Sequence, residues 1–146
     1  MYTQKPITMK RKLISTLVAS IAMLAAAIIT GYISDLIFPS LHKEYENTSL
    51  YRSWEDPMMY LYFIQPFILT AALVWVWDKI KHLFKGSVGL KAFNLSLIYM
   101  FISVVPGMLM TISTFKVSML AILTWTISSF IQILVASLLF IRIVRS

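Results

Sequence analysis

From Ala92 to Ile141 the chain carries a single charged residue, Lys116. A continuous helix over that block would run about 75 Å, against about 30 Å for the hydrocarbon layer of a bilayer, so the block must cross and return. A turn at 113–117 gives two spans of suitable length, about 91–113 and 117–140, and leaves Lys116 at the water boundary. The competing turn, Pro106-Gly107, shortens the third span and carries Lys116 into lipid, at about 2.5–3.5 kcal/mol. Pro106 and Gly107 are therefore read as a kink. Continuous apolar runs without period-two alternation favour helices over barrel strands.

Two further spans follow from the same reasoning. Residues 13–34 carry no charge, and the first span extends over about 13–38, with Pro39 as its stop. Ala25-Ala26-Ala27 resembles a signal-peptide cleavage site, but the apolar stretch is too long for a signal core. The second span covers about 58–77. A polar loop, 40–57, precedes it, and a basic linker, 78–90, broken by Gly86 and Gly89, follows it. The expected fold is all-α: a single transmembrane domain over 1–146, folded as a compact four-helix bundle.

Composition agrees. The chain is 59% hydrophobic and only 13% charged, where soluble domains carry about a quarter charged residues. Its +7 net charge is not spread along one stripe and accompanies no nucleic-acid motif, so no nucleic-acid partner is expected. The chain has no cysteine, which removes disulfides and thiolate metal sites.

Basic residues set the expected orientation. Lys5, Lys10, Arg11, Lys12, Lys79, Lys81, Lys85, Lys91, Arg142 and Arg145 fall on one side, and Lys43, Arg52 and Lys116 on the other. The positive-inside rule puts the first group, with both termini, in the cytoplasm of a cell whose inner or plasma membrane holds the chain. Those same residues should attract anionic lipid headgroups.

Helices associate in lipid through close packing of small residues. The first span offers Ser15, Ala19, Ala22 and Ala26 on one stripe, the third Ala92, Ser96, Ser103 and Gly107, and the fourth Ala121, Ser128 and Ala136. These are expected packing faces within the chain or of an oligomer. Gln132 is expected to bond a neighbouring helix.

Pro66 and Pro106 free the carbonyls of Tyr62 and Ile102 at similar depth. With Gln65, Trp125, Tyr32 and Asp35 they suggest a small polar vestibule on the outer side, roofed by the 40–57 loop. The alternative is that the kinks only shape the bundle and Gln65 bonds a neighbouring helix. Asp35 reads as the only acid close to a span, with Arg52 as its candidate partner. Asp35, Arg52, Gln65, Pro66, Pro106 and Trp125 are thus the candidate ligand-binding residues.

No catalytic constellation, cofactor motif or metal site is apparent. His42 and His82 fall in loops on opposite sides, and Glu44, Glu46, Glu55 and Asp56 match no cation-binding pattern. Asn47-Thr48-Ser49 is a glycosylation triplet by pattern only. The outer segment Tyr51-Arg52-Ser53-Trp54-Glu55-Asp56-Pro57 and the Trp125 to Gln132 pattern resemble small four-helix integral membrane proteins of bacteria to which no activity is assigned. Small multidrug exporters share the span count but centre an acid in the first span, where this chain has Ala and Ile. The expected function is non-enzymatic, that of an accessory, assembly or oligomeric scaffold subunit with a homo-oligomeric or membrane-protein partner. A small-molecule or lipid carrier is the alternative, and a lipid-acting enzyme using Asp35 or Glu55 the weaker one.

Overall fold

The computed structural model describes residues 7–145. Its α-helices are α1 (Met9–Ile37), α2 (Pro39–Tyr45), α3 (Tyr60–Ile80), α4 (Val88–Tyr99), α5 (Val105–Thr114) and α6 (Met119–Arg145), and there is no strand among the described residues. A π-helical turn, Met100–Val104, joins α4 to α5 as one rod. Short 3-10 turns flank α3. Four rods, Met9–Ile37, Pro57–Leu83, Val88–Thr114 and Met119–Val144, are long and apolar enough to cross a membrane, with mean hydropathy between 1.7 and 2.3.

Local chemistry sets the ends of these rods. The Phe38 N–H closes α1 on the Ser34 carbonyl, and Pro39, which lacks a donor, opens α2 instead of continuing α1. The expected loop 40–57 therefore begins as a helix. Ser87 caps α4, its Oγ accepting the Leu90 N–H at 3.3 Å. Within α1, the hydroxyls of Ser20, Thr30 and Ser34 bond carbonyls one turn back, satisfying themselves inside the helix.

In the third rod the ladder changes where Pro106 cannot donate. The Val105 N–H reaches back five residues to the Met100 carbonyl, widening the turn just before the proline. The kink expected at Pro106-Gly107 is thus preceded by a π turn.

α1 packs along both α3 and α6, and α4 packs on the far side of α6. α3 meets α6 only slightly, and neither α4 nor α5 makes an extended contact with α1 or α3. The order across the molecule is α3, α1, α6, α4, an arched row and not a closed square. The end carrying α1's start, the 81–87 linker and α6's finish is called the basic end here, and the opposite end the loop end. At the basic end the row is drawn together by Trp77, whose ring lies 5.1 Å from Phe84 and 6.4 Å from Phe140. The core is built there from Ala19, Met23, Val74, Leu95, Ile133 and Phe140. α5, at the loop end, buries no residue.

Candidate functional site

The loop end is closed by side chains from α2, the following loop and α6. Glu44 Oε1 accepts the Ser118 N–H at 2.9 Å and the Tyr51 hydroxyl at 3.1 Å. Ser118 in turn caps α6, its Oγ accepting the Ala121 N–H at 3.1 Å. One carboxylate thus ties α2, the loop and the start of α6 together. Beside it, Trp125 Nε1 donates to the Tyr45 hydroxyl at 3.0 Å, and the two rings stack 6.3 Å apart. Tyr51 stands edge-on to both, at 5.3 Å from Tyr45 and 6.2 Å from Trp125.

Electrostatics follow from this packing. Burial raises the Glu44 carboxyl, but the hydrogen bonds from Ser118 and Tyr51 outweigh it and hold Glu44 below the ordinary carboxylate range. Burial, together with the neighbouring Glu44 charge, pushes the Tyr51 phenol up to about 12. Burial also raises Tyr45.

A polar seam crosses the α1–α6 interface. Thr30 Oγ1 and Ser128 Oγ share a hydrogen bond, and Gln132 Nε2 donates to Ser128 Oγ at 2.9 Å. Among the described residues, Gln132 therefore makes no direct bond to a neighbouring helix. It orients Ser128 on its own helix, and Ser128 makes the crossing.

At the basic end, the Asp78 side chain is only 5% exposed and binds Lys12 at 2.7 Å and Lys81 at 3.0 Å. It also accepts the Ile7 N–H at 3.2 Å. This cluster staples the start of α1 to the end of α3. Sequence reasoning missed it by ending the second span at Trp77 and treating Asp78 as linker. The available signal was an acid directly after an apolar run and three residues before a lysine. Asp35 is therefore not the only acid near a span.

The expected ligand-binding residues are dispersed. Arg52 pairs with Asp56 at 2.7 Å, four residues on, and not with Asp35. Asp35 faces His42 at 3.7 Å, and His42 faces Glu46 at 3.6 Å. Pro66 is fully buried, whereas Pro106 is exposed. Gln65 lines a shallow groove with Leu61, Ile64, Ile68, Leu69 and Ala72, and neither Pro106 nor Trp125 takes part in it. Trp125 belongs to the aromatic cap. The local backbone pairings of the loop, and the packing of α1 between α3 and α6, leave these six residues in separate environments.

The expected packing faces divide more simply. Ser15, Ala19 and Ala26 are buried and Ala22 half-buried, while Ser128 is half-buried on the seam. The third rod changes character along its length: Ala92 and Ser96 are buried against α6, but Ser103 and Gly107, past the start of the π turn, are exposed. No group of three His, Asp or Glu side chains suited to a metal ion occurs among the described residues. Comparison with family models, curated proteins and solved structures finds no match for this chain.

Proposed function

We propose that the chain is an integral membrane protein that crosses the bilayer four times, with both termini and the basic linker in the cytoplasm. It serves as a non-enzymatic interaction subunit of the inner or plasma membrane, packing against another membrane helix. The observation that carries this reading is Gln65. Its side chain is exposed on the flank of α3, walled by apolar side chains, and makes no hydrogen bond among the described residues. Gln65 lies about 12 Å along the rod from Pro57, well inside a hydrocarbon layer of about 30 Å. An amide facing lipid at that depth loses its water and gains nothing, unless a polar group of a partner helix meets it. The polar residues on the α1–α6 seam, by contrast, have partners within the chain.

Exposure of Ser103, within the π turn, and of Gly107, beyond it, supports the same reading, since small residues let a second helix approach closely. Native mass spectrometry from mild detergent tests it. The wild-type chain should appear with a second copy or a co-purified membrane protein, and Gln65→Leu should release that species while the monomer stays folded. A wild-type chain that remains monomeric and partnerless in several detergents rules the reading out.

The groove around Gln65, about 400 Å³ in volume, also suits a small apolar molecule with one polar group, the carrier reading. That reading predicts ligand-induced thermal stabilisation that disappears in Gln65→Ala.

A further inference from the structure

A second groove lies at the basic end, on the far side of α6 from α1. Val88 and Gly89 of α4 face Val135, Leu138, Leu139 and Arg142 of α6 across about 570 Å³. From Arg142 back to Val135 is about 10 Å of helix, so the groove starts at the boundary of the apolar rod and runs inward. Its walls are aliphatic apart from the backbone at Gly89 and the Arg142 guanidinium at its outer end.

We propose that this groove holds one anionic phospholipid, with its phosphate at Arg142 and an acyl chain along Val135, Leu138 and Leu139. Charge complementarity selects the headgroup. Arg142 is exposed and forms no ion pair among the described residues. Asp78, an acid of the basic end, is already held by Lys12 and Lys81. The remaining acidic side chains, Asp35, Glu44, Glu46, Glu55 and Asp56, belong to the loop end, so among the described residues no other acidic side chain at the basic end competes for Arg142. Gly89 leaves the α4 backbone open: a Cβ there would meet only Ser87 Oγ, at 4.0 Å. A guanidinium binds phosphate through paired N–H donors, which a zwitterionic headgroup's own ammonium partly offsets. The apolar walls give an acyl chain a fixed bed that the smooth flank of a helix lacks. The inference requires that the rods lie in a bilayer and is independent of whether the chain has a protein partner.

Native mass spectrometry of the full chain in mild detergent, with phosphatidylglycerol and phosphatidylcholine added in equal amounts, tests this. The wild type should retain phosphatidylglycerol preferentially. Arg142→Gln should weaken that retention about fivefold, the worth of one basic residue at an anionic surface. Gly89→Leu fills the groove at an uncrowded position and should weaken retention of both lipids. Lys79→Gln removes an exposed charge at the same end that does not line the groove and should weaken retention distinctly less than Arg142→Gln. Thermal denaturation of each variant confirms that it is folded. Retention by Arg142→Gln or Gly89→Leu equal to wild type overturns the proposal, as does a loss in Lys79→Gln as large as that in Arg142→Gln, which would mean diffuse surface attraction.

Discussion

The Ser118 N–H donates to the Glu44 carboxylate at 2.9 Å across 74 residues of chain. This one bond fixes α2 over the start of α6 and makes the loop-end cap sensitive to protonation. Glu44 has its folded value below the ordinary carboxylate range. A depressed carboxylate contributes stability that is complete above its unfolded value and is lost as pH falls through the folded one. Thermal stability in detergent should therefore fall on acidification through and below the carboxylate range. Glu44→Gln should lower stability at neutral pH by about 1–2 kcal/mol and flatten the acid response. An acid response in Glu44→Gln as steep as in wild type would place the sensitivity elsewhere.

Tyr51 supplies the opposite limb. Its folded value near 12 lies above the ordinary phenol value, so its contribution is present below the unfolded value and is lost as pH rises through the folded one. Tyr51→Phe should remove the part of the alkaline destabilisation that titrates between those values, read as the melting midpoint against pH.

Asp78 anchors two lysines through a side chain that is only 5% exposed. Asp78→Asn strands both cations and should cost about 3 kcal/mol. Lys12→Gln leaves Lys81 in place and should cost less. The double substitution should be no worse than Asp78→Asn alone, because the strain of an unpaired Lys12 is gone. Chemical denaturation of the four proteins in mixed micelles gives the cycle directly, and simple additivity would show that Lys12 and Asp78 are not coupled.

Trp125 combines a stacked ring with a hydrogen bond to Tyr45. Trp125→Phe keeps most of the ring and should cost about 1 kcal/mol, whereas Trp125→Ala empties the cap and should cost about 3 kcal/mol. Limited proteolysis of the 46–56 segment should accelerate in the same order.

Two glycines separate backbone need from open surface. Gly86 has φ +97°, and an added Cβ would meet Leu90 Cδ2 at 2.9 Å. Gly86→Ala should cost about 1–2 kcal/mol. Nothing lies within 4 Å of a Cβ at Gly107, so Gly107→Ala should raise monomer stability by about 0.5–1 kcal/mol. Gly107→Leu should leave the monomer intact while weakening association with a partner helix. Melting curves and native mass spectra of the three variants read both effects.

Gln65 and Asp78 show why the sites were less legible than the fold. α3 is apolar on nearly every side, so periodicity cannot say which flank meets α1 and which meets lipid. Gln65 fell on the outer flank and its neighbour Pro66 on the inner one, and only the packing of α3 on α1 separates them. Asp78 looked like linker because a charge normally ends an apolar run. Lys12, 66 positions earlier, lets the helix continue through it to Ile80 by neutralising the carboxylate.

Composition and run length alone determined that the chain is helical, with four rods able to cross a membrane. Solvent dictates that outcome, because a lipid-exposed backbone must bond within its own segment, and run length needs no knowledge of neighbours. Tertiary structure alone decided which helices touch, that Glu44 and Asp78 each tie distant segments, and that the third rod leaves most of its loop-end half exposed. Those outcomes depend on which polar groups meet across helices, on pairwise geometry that apolar runs of near-uniform composition do not encode locally.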